Sequence, residues 1–270
     1  MPGRRPALQV RRNVTVHSRF GFPKPPGLAT SFARQYASIQ YLPPVSELDP
    51  KVRSLARHEL ARILDHTLRR ADATARDIET HCAEAREHGF FSVCVNGSRV
   101  AQAAARLEES PVKVTCAIAF PNGASDADVK RYEVEAALDN GAQIFEVAAN
   151  IGLVRDGDLA AVLRELRDIV EAADERPVSV SFDPQFLRGD ELAQFCKLLV
   201  EAGVKGVSLA GHAEIALSIQ AARQIAGPAG DNFGIKVDSH SLARPDIVAL
   251  LDAGATRFGL VDGVRLLTSL

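Results

Sequence analysis

The chain predicts a (β/α)8 barrel, and three observations carry that prediction. Short apolar strands alternate with amphipathic helices from about residue 61 to the end of the 270-residue sequence, eight strands in all. Four helix-like segments end in a residue plus glycine and run straight into an apolar strand: His88-Gly89, Asn140-Gly141, Ala202-Gly203 and Ala253-Gly254. Glycine is favoured just past a helix because it tolerates positive φ. Acids, bases and histidines recur at the downstream strand ends, which in such a barrel share the one face that carries chemistry. A doubly wound open sheet is the competing fold. It calls for a Gly-rich loop after its first strand, and Asp65-His66-Thr67-Leu68 is not one.

A helix is expected from about Asp49 to Arg62, with Asp49 as its cap and Pro50 at its first position. The strands are expected at Ala61–Leu64, Phe90–Val95, Val112–Ala119, Ala142–Ala149, Val178–Phe182, Val204–Leu209, Phe233–Val237 and Ala255–Leu260. Amphipathic helices fill the gaps: Thr74–His88, Ser98–Glu109, Asp126–Asn140, Asp156–Asp174, Gly189–Ala202, Ala213–Ala226 and Arg244–Ala253. Asp72 and Ser125 are the candidate caps of the first and third of these.

Residues 1–48 read as an irregular extension and 49–270 as the barrel. The first 46 residues carry seven basic side chains, no acid and seven prolines, in the manner of a transit peptide. Their first twenty or so residues read as mobile. Phe20–Leu42 is aromatic enough to dock on a surface, which suggests a homodimer bridged by this segment. The whole chain nets −2, so neither nucleic acid nor an anionic membrane is implied as partner. No apolar run is long enough for a membrane span. Cys82, Cys94, Cys116 and Cys196 show no paired spacing and read as reduced thiols of a cytoplasmic protein.

The candidate site follows from the strand ends. Asp65 and His66 follow the first strand, Glu146 lies in the fourth, Asp183 follows the fifth, His212 follows the sixth, and Lys236, Asp238 and His240 end the seventh. Asp262 follows the eighth. Lys236 has two readings. Buried in the barrel wall, its amine could be activated as a nucleophile, with Glu146 or Asp65 moving protons. Alternatively it is a charged lysine paired to Glu146 or Asp238. Glu146, Asp183, His212, Asp238 and His240 are also possible divalent-metal ligands, so a metal-dependent lyase is an alternative, though no cofactor is otherwise expected. Cys94 reads as core, and Arg257 as the partner of an acid near the barrel base.

Leu64-Asp65-His66-Thr67-Leu68, Ser92-Val93-Cys94-Val95-Asn96 and Phe120-Pro121-Asn122-Gly123-Ala124 resemble the first three strand ends of the deoxyribose-phosphate aldolase family. Asn150-Ile151-Gly152, Gly234-Ile235-Lys236 and Gly254-Ala255-Thr256-Arg257 continue the resemblance in order, over about residues 58–268. It implies a lyase that joins and splits carbon–carbon bonds through a Schiff base on a lysine of the sixth strand. A strand-four aspartate and a strand-seven lysine would assist. Lys236 matches the strand-seven lysine, Glu146 stands for the aspartate, and Asp183 for a strand-five glutamate. Ser208 stands at the Schiff-base position. Lys205, three residues earlier, falls on the other strand face. Asp238-Ser239-His240 and Val261-Asp262-Gly263 replace the small, glycine-rich turns that hold the substrate's phosphate in the family. The expectation is therefore a small, non-phosphorylated carbonyl substrate, with Lys236, Glu146, Asp65 and Asp183 catalytic. His66, Cys94, Asn96, Ser208, His212, Asp238, His240 and Asp262 would line the site. The alternative is a barrel that has lost the chemistry and keeps only binding.

Overall fold

Eight parallel strands close into a barrel in sequence order, each paired with its neighbour and β8 with β1. A computed structural model describes residues 56–210, 214–230 and 232–269. The cap at Asp49, the extension, its docking segment and His212 lie outside the described residues.

The chain enters through α1 (Arg57–Ala61) and β1 (Leu64–Leu68). Then come α2 (Ala75–His88), β2 (Ser92–Asn96), α3 (Val100–Arg106) and β3 (Lys113–Ile118). They are followed by α4 (Ala127–Asp139), β4 (Ile144–Ala148), α5 (Ile151–Arg155), α6 (Leu159–Ala172) and β5 (Val178–Phe182). The last units are α7 (Asp190–Glu201), β6 (Gly206–Leu209), α8 (Ile215–Ala229), β7 (Gly234–Ser239), α9 (Arg244–Asp252), β8 (Arg257–Leu260) and α10 (Gly263–Thr268). Gly89, Gly141, Gly203 and Gly254, the four expected helix stops, all have φ between +71° and +101°.

The differences from expectation have local causes. Ala61 ends a helix, and the first strand starts at Leu64, so Asp65 and His66 lie inside β1 rather than beyond it. Thr74, not Asp72, caps α2: its hydroxyl accepts from Asp77 N at 3.2 Å while Asp77 reaches back to Thr74 N at 2.7 Å, a reciprocal box. Asp126, not Ser125, caps α4 by accepting from Asp128 N. The helix expected at Asp156–Asp174 is present as Leu159–Ala172, capped by Asp158, and an additional short helix, Ile151–Arg155, capped by Asn150, precedes it.

Strand alternation sorts the side chains. Val93, Val95, Val114, Phe145, Val147, Val180, Val207, Ile235 and Phe258 face outward and pack with the helices in one continuous core. Most of the inward residues are polar, with Ala117, Ile144 and Ala148 among the exceptions. The register sets Ser181, Ser208, Lys236 and Arg257 side by side across β5 to β8. Asp238, Gly259, Asp65 and Ser92 form a second such row. The barrel interior is thus lined by ionic and hydroxyl groups held in place by an apolar outer layer.

Candidate active site

Lys236 is 5 % exposed and meets three carboxylates: Glu146 in a short hydrogen bond, Asp238 at 3.1 Å and Asp65 at 3.5 Å. Arg69, just beyond β1, bridges two of the same acids, giving 2.6 Å to Glu146 and 2.7 Å to Asp238. Arg257 closes the set from below at 2.6 Å from Asp65; its partner is an acid, as expected, but one level with Asp238 in the register rather than at the barrel base. Three cations therefore face three carboxylates, all nearly out of water. Asp65 also accepts from Ser92 Oγ at 2.8 Å, which itself accepts from Thr115 Oγ1 at 3.0 Å. These hydroxyls fix the carboxylate from the side away from the cations.

This charge pattern sets the protonation states. Burial by itself would lower the Lys236 pKa, but the carboxylates of Asp238, Glu146 and Asp65 outweigh it and raise the pKa above the usual lysine value. The lowered pKa of an activated lysine is not what the site provides. Burial raises Asp238 as well, yet Lys236 and Arg69 together bring its pKa down to about 2. Glu146 shifts upward, because desolvation and the neighbouring Asp238 charge exceed the pull of its two cations. Cys94 is buried among these groups, and burial pushes its thiol up to about 12, which keeps it protonated and inert.

A cavity of about 860 Å³ opens at the downstream end of the barrel. Thr67, Arg69, Ser181, Asp183, Asp238 and His240 supply its polar surface, and Phe120 and Phe186 supply apolar walls. Asp238 and His240 both line this cavity, and so does Ser239 between them, because the chain leaves β7 at Ser239. Asp183 accepts from the backbone N and side chain of Gln185 at 2.9 and 2.8 Å. Lys236 does not line this cavity. It borders a void of about 20 Å³ lower in the barrel, with Ser179, Thr256 and Arg257. Arg69 and Asp238 stand between the mouth and the amine.

Several expected site residues are elsewhere. His66 alternates with Asp65 and Thr67 and so points away from the interior. It stacks between His81 of α2 and Phe90, with centroids at 3.6 and 4.8 Å, and bonds Glu84 at 2.8 Å. Cys94 and Ser208 are inside the barrel but below the mouth, and Ser208 Oγ has no hydrogen-bond partner among the described residues. Asn96 donates to the Arg69 carbonyl at 3.0 Å and lines a neighbouring chamber. Asp262 turns to Arg265 at 3.0 Å. Lys205 is exposed on the outer side.

Of the expected metal set, His212 lies outside the described residues, and Glu146 and Asp238 are engaged by Arg69 and Lys236. Among the described residues, the ligand group that converges is His66, His81 and Glu84 on the outer side of β1. The two imidazoles there are stacked within 15° of parallel. In-plane lone pairs of parallel rings cannot aim at one ion. Arg69 was missed by sequence reasoning. Its only sequence signal is a cation directly after Leu64–Leu68, and nothing local says that it turns inward.

The turn Phe120–Gly123 sits against the end of β4 because Gly123 has φ +65° and its Cα approaches the Ala149 carbonyl; a Cβ there would lie 2.1 Å from that oxygen. This close fit matches the part of the chain that bears the family's third strand-end motif.

No family model matches the chain. Curated relatives do. A deoxyribose-phosphate aldolase of Exiguobacterium sibiricum is 37% identical over 211 residues, and one of Bdellovibrio bacteriovorus 34% over 210. Each alignment covers 77% of this chain and 96% of the relative. Among solved structures, one assigned as a deoxyribose-phosphate aldolase of Coccidioides immitis aligns with a TM-score of 0.74 at 28% identity, over 89% of this chain and 95% of that one. The tetrameric deoxyribose phosphate aldolase of Aeropyrum pernix, at 23% identity and a TM-score of 0.73, shares the fold over 82% of this chain and 97% of its own. Barrel, strand-end motifs and near full-length coverage of these aldolases agree: the chain belongs to the deoxyribose-phosphate aldolase family.

Proposed function

We propose that the barrel mouth takes a small, non-phosphorylated hydroxy-carbonyl compound and handles it as an aldol-type carbon–carbon lyase that forms no Schiff base. One observation carries this reading. The sixth-strand position that the resemblance reserves for the reactive amine is Ser208, and the amine beside it in register, Lys236, is sealed beneath Arg69 and Asp238. Lys236 then serves as the cation that holds Glu146 and Asp238, not as a nucleophile.

The mouth offers the groups a non-covalent cleavage needs. A carboxylate, Asp183, takes the proton of the substrate's β-hydroxyl. The electrons of that O–H bond form a carbonyl, the carbon–carbon bond breaks, and its electron pair moves into the other carbonyl as an enolate. Arg69 faces the enolate oxygen with the guanidinium protons that Glu146 and Asp238 leave free. The proton that Asp183 took passes through His240 to the enolate carbon, which leaves both side chains as they began. Asp183 in the same cavity disfavours a phosphate dianion, whereas Asp238 and Asp262 each have a basic partner. At ~4 Å and an effective dielectric near 20, one such like-charge pair costs on the order of 4 kcal/mol.

A second reading, a binding barrel without turnover, draws on the balance of the ionic set: each of its cations is held by a carboxylate. A metal-dependent lyase has less support, since Glu146 and Asp238 are both engaged by Arg69 and Lys236. Four buried, unpaired cysteines are consistent with a reducing, cytoplasmic setting.

Borohydride trapping with acetaldehyde, read by intact mass, tests the central claim. The expected result is no adduct, together with release of acetaldehyde from its own self-aldol that falls in Arg69→Leu. An adduct mapped to Lys236 overturns it. Saturable binding of the self-aldol without release selects the second reading.

A further inference from the structure

A second chamber of about 840 Å³ lies beside the mouth and shares Arg69, Phe120 and Pro121 with it. Its other side is the outer face of α4. That helix has two apolar stripes. Val134 and Ala137 pack into the core, as expected of a barrel helix. Val129, Tyr132 and Ala136, at i, i+3 and i+7, form a second stripe that faces the chamber, which Ala137 also borders. Val129 is 55 % exposed, Tyr132 69 % and Phe120 37 %. Three large apolar side chains exposed around one concavity mark a ligand site more than a solvated surface. Arg69 and Ser98 add polar atoms on the barrel side. Asn96 and Asn140 stand at the edge, and Glu133 is already engaged by the Ala119 backbone N–H at 2.8 Å.

We infer that this side chamber is a subsite for an aromatic ring carried by the same compound whose carbonyl head sits in the mouth. The inference rests on the ligand reading of the mouth given above. The two chambers share Arg69, Phe120 and Pro121 as common walls, and the Phe120 ring lies 4.3 Å from the Arg69 guanidinium. A ligand can therefore place its polar head against Arg69 and its ring against Phe120 and Tyr132. Aromatic side chains favour offset or edge contacts with such a ring, and the chamber volume accommodates one with room to spare.

The test uses two probes with the same head: the self-aldol of acetaldehyde, and the aldol of acetaldehyde with benzaldehyde. Titration calorimetry on the full chain is expected to show the aromatic aldol binding about tenfold tighter, the effect of burying a phenyl group in a partly open site. In the double variant Val129→Gln, Tyr132→Gln the ratio of the two constants is expected to fall to about one. Both positions are exposed, and glutamine keeps the helix propensity, so the fold is retained. Equal affinities in the native chain, or a gain that survives the double variant, overturn the subsite. If the small aldol binds no differently to Arg69→Leu than to the native chain, it is the reading of the mouth that fails.

Discussion

Arg69 Nη2 and Asp238 Oδ2 meet at 2.7 Å on the floor of the barrel mouth, although 169 residues separate them. Neither residue belongs to the motifs that carry the family resemblance, yet together they define this site. Arg69 supplies a cation to an interior that lacks one at position 208. Asp238 supplies the charge that holds Arg69 and Lys236 together. The pair also covers Lys236. One change in the set therefore has meaning only alongside the others.

The first prediction concerns Ser208. Restoring a lysine there adds a fourth cation to a balanced set, beside Lys236 in register. Ser208→Lys alone is expected to destabilise the fold by about 3–5 kcal/mol, the usual result of an uncompensated buried charge. It is also expected to give no borohydride adduct. Adding Arg69→Leu removes one cation and uncovers the amine. The double variant should recover much of the stability and form a trappable adduct at position 208. Urea denaturation and intact mass read the two effects. An adduct in the single variant would show that Arg69 is not the barrier.

Lys236 offers a separate test of charge balance. Lys236→Met leaves three carboxylates facing two cations and is expected to cost about 3–5 kcal/mol. Adding Glu146→Gln restores neutrality. The double variant is expected to be more stable than Lys236→Met alone, which a double-mutant cycle by denaturant melts would show. Additive losses would mean that packing, not charge, dominates here.

The fold was legible in this sequence to a degree that the site was not. Gly89, Gly141, Gly203 and Gly254 announce helix ends because a positive φ is a local property. Val178–Phe182 reads as a strand from its own composition. The site depends instead on the direction in which side chains leave the strands. Moving the first strand from Ala61–Leu64 to Leu64–Leu68 changes His66 from a presumed mouth residue to a member of the outer layer. Asp238 and His240 both line the mouth, but His240 is one residue past β7 and Ser239 between them lines it too, so strand parity does not decide its place. Arg69 lies outside any strand, and the pattern around it does not encode its turn inward. Ser208 was recognised as a departure from the family. What compensates for it is three-dimensional, built from Arg69, Asp238 and Glu146.

Gly259 probes how tightly the interior is filled. A Cβ on this β8 residue would lie 1.9 Å from Asp238 Oδ1 and 3.3 Å from Lys236 Nζ. Asp238 is short and held by two cations, so it cannot easily give way. Gly259→Ala is expected to cost about 2–3 kcal/mol, in the range of overpacking in a well-filled interior. It should also weaken binding at the mouth, because Asp238 must move. Unchanged stability in a thermal melt would show that the ionic set has slack.

Acid sensitivity should arise on the opposite side of β1, at the stacked histidines. Burial lowers His81 to about 3 and His66 to about 4, from an ordinary value of 6.5. For His81 the neighbouring His66 adds to the lowering, while the His66 carbonyl and Glu84 oppose it. Both rings are thus neutral in the fold, while the unfolded chain takes up their protons as pH drops below about 6.5. Stability from these rings is complete above that pH and is lost on the way down to about 4 and 3. At about pH 5 the loss through His81 amounts to roughly 2 kcal/mol, at 1.36 kcal/mol per unit. His81→Leu removes that titration and keeps an apolar side chain against His66. Urea melts at pH 7.5 and pH 5 should therefore show the native chain losing about 2 kcal/mol more than the variant between the two conditions. Equal losses would mean that another group, with Asp238 the first suspect only below about pH 4, governs the acid response.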